Sequence, residues 1–180
     1  MDVKVGLPIH SDTLGEATER FTVNYHDPIE EYLAGAEQLA EAIAGMSEEQ
    51  LDAMPVTGTW STRSVVCHIA DFEPVYADRM KRVIAEKEPT FFGGDPDVFA
   101  AHLAYARRDV QEELQLIRAV RGQMAKILRT LTPEDFQRQG HHSEDGPMTL
   151  KELLRRITSH IPHHVHFIEE KRKAMTGTSG

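Results

Sequence analysis

Late in the chain stands His160-Ile161-Pro162-His163-His164, inside a stretch with the apolar period of a helix. Residues four apart on a helix lie one turn apart on one face, with Cβ atoms about 5–6 Å from each other. His160 and His164 can therefore offer two imidazole nitrogens to one metal ion. His68, far upstream on a second amphipathic segment, can offer a third. Three imidazoles leave a position open for an outside ligand, as catalytic metals require; structural sites close with four protein ligands. A lone H-x-x-x-H spacing carries little weight in a chain with ten histidines. What matters is where the three rings point.

Helical period answers that. The last helix is expected from Leu150 to about Ala174, with the stripe Leu150, Leu153, Leu154, Ile157, His160, Ile161, His164 and Ile168. A second helix is expected from a Ser61 cap to about Glu86, and His68 sits on its stripe between Val65 and Phe72. All three rings should then face the interior. A protonated buried histidine is costly, and a neutral one still needs a donor and an acceptor satisfied. A divalent metal meets both needs by taking one lone pair from each ring. His163 is displaced from the stripe, and His166 lies on the far side of the helix. His141 and His142 are expected on a surface loop, His102 in the core or on a pocket wall, and Cys67 as a small packed residue.

These elements imply a bundle. A first helix is expected from an Asp27 cap, with Pro28 at its first position, to Gly45. Ser47 and Gln50 have capping-box spacing, which suggests a short turn around Leu51. Residues 87–96 read as a connection. A third helix is expected from about Asp97 to Leu131, with the stripe Phe99, Leu103, Ala106, Val110, Leu114, Ile117, Met124, Leu128 and Leu131. Pro74 and Pro162 should disturb their helices. Residues 1–26 are irregular, no strand alternation shows, and no repeat is found. The expectation is one all-α domain over residues 1–180, a four-helix bundle.

Composition narrows the function. The formal net charge of −9 argues against non-specific binding to nucleic acid or to an anionic membrane. Arg107-Arg108 and Lys151, Arg155 and Arg156 read as solvated helix faces. With Cys67 as the single cysteine no intrachain disulfide can form, which fits a reducing compartment. Met1 to His10 carries no signal core, and no run reaches the roughly 20 apolar residues of a transmembrane helix. A cytoplasmic protein is expected. H-E-x-x-H, Cys-x-x-Cys and Gly-rich phosphate-loop motifs are missing from the sequence.

Trp60-Ser61 followed by Val65-Val66-Cys67-His68-Ile69-Ala70-Asp71, together with His160-x-x-His163-His164, resembles the two motifs of the DinB superfamily, especially its YfiT-like branch. The resemblance spans nearly the whole chain. It implies an up-down-down-up bundle whose long crossover residues 87–96 could supply. It implies zinc or nickel held by His68, His160 and His164, and a homodimer. Relatives in that superfamily include thiol S-transferases that use bacillithiol and a mycothiol-dependent maleylpyruvate isomerase, while the YfiT-like branch is labelled as metal-dependent hydrolases. Ser159, Pro162 and His166-Phe167 depart from the pattern, which leaves the substrate open.

Two classes of function follow. A metal on three neutral histidines lowers the pKa of a coordinated water or thiol. Transfer of a low-molecular-weight thiol to an electrophilic small molecule is the leading expectation, with hydrolysis as the alternative. The other class is a non-catalytic metal-binding stress-response module. No general base stands out: Asp71 and Glu73 neighbour His68, but helical spacing does not aim both at the site. Metal affinity should weaken as pH falls through the histidine range.

Overall fold

The computed structural model describes residues 25–177. The irregular segment expected over residues 1–26 therefore lies almost wholly outside the described residues. In chain order the elements are α1 (His26–Ile43), α2 (Glu48–Asp52), α3 (Thr62–Ala85), β1 (Thr90–Phe91), α4 (Pro96–His102), α5 (Val110–Leu128), β2 (Gln139–His142), β3 (Gly146–Thr149) and α6 (Leu150–Gly177). Single 3₁₀ turns occupy Tyr105–Arg107 and Asp135–Gln137.

The long helices α1, α3, α5 and α6 form the bundle, in up-down-down-up order. α1 packs on α5 and α6, and α3 packs on the same two. The neighbours α3 and α5 run parallel, so the chain between them must travel the length of the bundle.

Local chemistry starts and stops these helices. Ser47 and Gln50 make both halves of the capping box that opens α2. Ser61 caps α3, its Oγ accepting from the Ser64 N–H at 3.2 Å. Replacing Ser47 by Ala should cost about 1 kcal/mol, read as a lowered denaturation midpoint. α1 begins differently from the expectation. Tyr25, not Asp27, occupies its cap position and makes no side-chain cap bond. The Tyr25 ring stacks on Phe136 at 3.8 Å, and this packing sets the entry of the chain. Pro28 is tolerated because first-turn N–H groups have no helical partner anyway. α3 runs through Pro74 and α6 through Pro162 without a break.

The third expected helix is instead two helices. Asp95 caps α4, accepting from the Asp97 and Val98 N–H groups, and Asp109 caps α5, accepting from Gln111 and Glu112. Between them Ala104 takes a left-handed conformation with φ of 54°. Leu103 is 43% exposed and Ala106 is exposed, so the first part of the expected stripe is not core. Short aspartate side chains compete with helical backbone bonds, and here they win twice. The crossover is accordingly longer than residues 87–96.

Where no strand is expected, the structure holds a small sheet. β1 pairs with β2 in parallel, and β2 with β3 antiparallel. It ties the crossover to the hairpin preceding α6. A side chain at Gly140 would overlap the Pro89 carbonyl and the Phe91 ring, so only glycine allows this approach.

The core has two apolar clusters. One gathers around Tyr32, Met80, Met124, Leu128 and Leu154; the other around Leu39, Val66, Ile69, Leu114 and Ile161. At their junction the Arg121 guanidinium donates to Glu73 Oε1, to the Tyr32 carbonyl and to the Ile157 carbonyl. Tyr32 Oη donates to the other Glu73 oxygen at 3.3 Å. One buried cation thus joins all four long helices. Gly35 makes room for it, since a Cβ there would overlap Arg121 Nη1.

Candidate metal centre

The Ser61 cap sets the phase of α3, and buried Val65 and Ile69 turn His68 inward on the same face. On α6, buried Ile157, Ile161 and Ile168 do the same for His160 and His164. Across ninety-two positions the two helices bring His68 Nε2 to 3.0 Å from His160 Nε2. His164 Nε2 lies 3.1 Å from the same atom. The ring centroids form a near-equilateral triangle with sides of 4.9, 4.9 and 4.7 Å.

Hydrogen bonding does not account for this triangle. A neutral ring offers one hydrogen or one lone pair at Nε2, and His160 meets two partners there. Nor does protonation. Burial lowers the His68 pKa to about 4, against the opposing charges of Asp71 and Asp97. Burial first, then the neighbouring rings of His164 and His68, hold His160 down at about 2. His164 is lowered to about 3, again mainly by burial. Three neutral lone pairs therefore converge. Tetrahedral zinc at about 2.0–2.1 Å from each nitrogen would separate the nitrogens by roughly 3.3 Å, close to the spacing observed. The donor set fits a divalent metal.

The walls are aromatic. Trp60 meets the His68 ring at 5.2 Å and Phe72 meets it at 4.7 Å. Phe99 of α4 packs on Phe72 at 5.4 Å. The crossover thus covers one side of the site. No carboxylate or thiol joins the three histidines among the described residues. Asp71 is held by Arg108, which also grips Glu113. Glu73 is committed to Arg121 and Tyr32. Cys67 is fully buried, its thiol pushed up to about 11 by burial, with Sγ 3.7 Å from the Tyr105 carbonyl.

The remaining histidines stand apart. His163 is exposed, its ring beside His164 at 5.2 Å. His166 is exposed beside Glu170. His102 is exposed rather than in the core or on a pocket wall, because the helix carrying it is part of the crossover. His142 is buried, not a surface loop residue: its Nδ1 accepts from the Glu144 and Asp145 N–H groups and closes the β2–β3 turn. His141 is exposed. Arg155 and Arg156 both grip Glu152. An apolar groove of about 520 Å³ lies between α1 and α6 and is lined by Leu154, Thr158 and Pro162; it does not include the three histidines.

Residues 31–168 match the family model described as the DinB superfamily. The chain belongs to that superfamily. Among its DinB relatives, YfiT of Bacillus subtilis is 29% identical over 139 residues, covering 77% of this chain and 78% of that protein. A Bacillus licheniformis relative, also named as a metal-dependent hydrolase, is 30% identical over 138 residues, covering 76% and 78%. The solved structure of YfiT aligns with a TM-score of 0.80 at 26% identity, over 91% of this chain and 95% of that one. It is described as a probable metal-dependent hydrolase with an unusual four-helix bundle topology.

The depressed histidines give this DinB protein a pH signature. Without metal, the unfolded chain takes up protons first, since its histidines titrate near 6.5 and the folded ones far lower. The stability from neutral burial is complete above about pH 6.5 and is lost as pH falls towards the folded values, about 4 for His68. The expected slope is up to about 1.4 kcal/mol per pH unit for each histidine. Denaturant titrations of the chelated protein between pH 7 and pH 5 measure it; a flat profile would contradict the burial described. In the folded protein, proton competition with a metal is likewise displaced below the ordinary histidine range.

Proposed function

We propose that this DinB protein is a divalent-metal-dependent enzyme in which His68, His160 and His164 hold the metal. The observation that carries the reading is the triangle of neutral imidazole nitrogens, three and not four, beneath an aromatic wall. Zinc and nickel both suit such donors. When bound, such a cation lowers the pKa of a coordinated water or thiol into the neutral range.

The chain's own residues do the rest. The histidines stay neutral and keep their lone pairs on the cation. Trp60, Phe72 and Phe99 exclude water and offer an apolar surface to the substrate. Asp71 and Glu73, each locked to an arginine, do not serve as bases. A site without a base of its own suits a nucleophile that loses its proton on coordination. Water and thiol both qualify; we place transfer of a low-molecular-weight thiol, such as bacillithiol, to an electrophilic small molecule first, as the superfamily resemblance implies. Hydrolysis is the second reading, favoured by the description that the relatives carry. A non-catalytic module is disfavoured because three protein ligands leave the shell open.

The test begins with metal analysis of the purified protein. It is then assayed with bacillithiol and a chlorinated aromatic electrophile, and separately with an activated ester, each with and without chelator. Thiol transfer should vanish on chelation and return with zinc or nickel. Ester turnover without thiol would move the assignment to hydrolase. Activity indifferent to chelator would end the metal-enzyme reading.

A further inference from the structure

The chain that crosses from α3 to α5 is held firmly at two points and lightly between them. At its start β1 pairs with β2, and the buried Arg79 side chain donates to the Phe92 carbonyl and lies over the Phe91 ring. At its end Tyr105 is buried, Arg63 donates to the Arg108 carbonyl, and Arg108 grips Asp71 and Glu113. Residues 93–104 lie between these anchors and include α4, which buries none of its side chains. Each other α-helix among the described residues buries at least one; even the five-residue α2 buries Leu51. Among the described residues, the hydrogen bonds of residues 93–103 stay within the segment and close on Asp95 and Phe99. Val98 and Leu103 are exposed.

One aromatic ring joins this segment to the site. Half-buried Phe99 packs on Phe72 at 5.4 Å. Phe72 in turn meets the His68 ring at 4.7 Å and the His160 ring at 6.4 Å. The Phe72 ring thus stands between two of the histidines and α4. Few buried contacts and no hydrogen bonds to neighbouring elements mark the parts of a fold that open at low free-energy cost. Both ends of the segment suit hinges. Gly93-Gly94 stands at one end, and Ala104, with φ of 54°, at the other. Such terminal positions absorb the backbone rotation when a loop opens or closes.

We propose that residues 93–104 are a lid over the three-histidine site, with Phe99 as the latch that holds Phe72 against the rings. Opening lifts α4 off α3 about its two ends, while Phe92 and Tyr105 stay anchored. Phe72 then turns into the vacated space, and a small molecule reaches His68 and His160. The lid adds control of access to the metal-enzyme reading above and rests on that reading for its purpose. Its motion belongs to the chain itself, with or without a cation in the site.

The test needs no metal. The full chain, freed of metal by chelation, is treated at neutral pH with diethyl pyrocarbonate, which acylates neutral imidazoles, and each histidine is followed by peptide mass spectrometry. In wild type His68 and His160 should react slowly and the exposed His163 and His166 fast. Phe99→Ala should speed His68 and His160 by about two- to tenfold, the worth of one aromatic pair, and leave His163 and His166 unchanged. Val98→Ala, an exposed position on the same helix, should change none of the four rates. Phe99→Leu serves if Phe99→Ala does not fold. Amide hydrogen exchange gives the second readout: the Phe99 variant should exchange faster over residues 93–104, with α3 and α6 as in wild type. Equal histidine rates in wild type and a folded Phe99 variant would overturn the lid. So would faster exchange spread through α3 and α6, because that reports a loosened bundle. A zinc titration is read separately: wild type that takes up no zinc overturns the metal reading, while the histidine rates alone decide the lid.

Discussion

His160→Ala should strip the metal and leave the bundle standing. His160 is the hub of the triangle, with its Nε2 within 3.1 Å of both other rings. Structural zinc sites with four ligands bind with roughly 10–16 kcal/mol, so one ligand is worth about 3–4 kcal/mol, or several hundredfold in affinity. The fold should tolerate the loss. His160 Nδ1 is buried without a partner, and burial disfavours the charged ring, so the imidazole itself adds little to stability. Calorimetric titration with zinc measures the first effect, and thermal melting of the chelated protein the second. His163→Ala and His166→Ala are the controls, both positions being exposed. If either control loses the metal while His160→Ala keeps it, the ligand set is wrong.

Glu73→Ala should produce the opposite pattern, a large loss of stability felt throughout the bundle. The Arg121 side chain is 1% exposed and that of Glu73 is fully buried. Removing the carboxylate strands a guanidinium in the core and frees the Tyr32 hydroxyl as well. Breaking one side of a buried pair typically costs 3–5 kcal/mol. For a chain of this size that corresponds to a fall of about 10 °C or more in Tm. Replacing both partners, as Glu73→Leu with Arg121→Met, should recover much of the loss, because apolar groups of similar volume need no counter-charge. A melting temperature unchanged in Glu73→Ala would mean that water already reaches the junction. Gly35→Ala should mimic part of the defect by displacing Arg121.

These two outcomes separate what was readable from what was not. The inward aim of His68, His160 and His164 was readable because helical period is local: each ring lies between apolar residues three or four positions away. The caps at Ser47 and Ser61 were readable for the same reason. The division of the expected third helix was not. Phe99, Leu103 and Ala106 keep a helical spacing whether or not the backbone continues through Ala104. The sheet was missed because strands of two to four residues are too short for alternation to register. Nothing in the residues around Arg121 marks it, and only the packing of four helices shows it at the junction of the core.

The amphipathic faces, their capping residues and the histidines on them follow from the order of residues alone, because each depends on neighbours within a turn or two. The meeting of His68 with the pair on α6 depends on contacts across ninety-two positions, and so does its neutral state, since burial sets it. The same holds for the pairing of Arg121 with Glu73. Whether a charge has a partner is a property of the space around it, and only the folded chain defines that space.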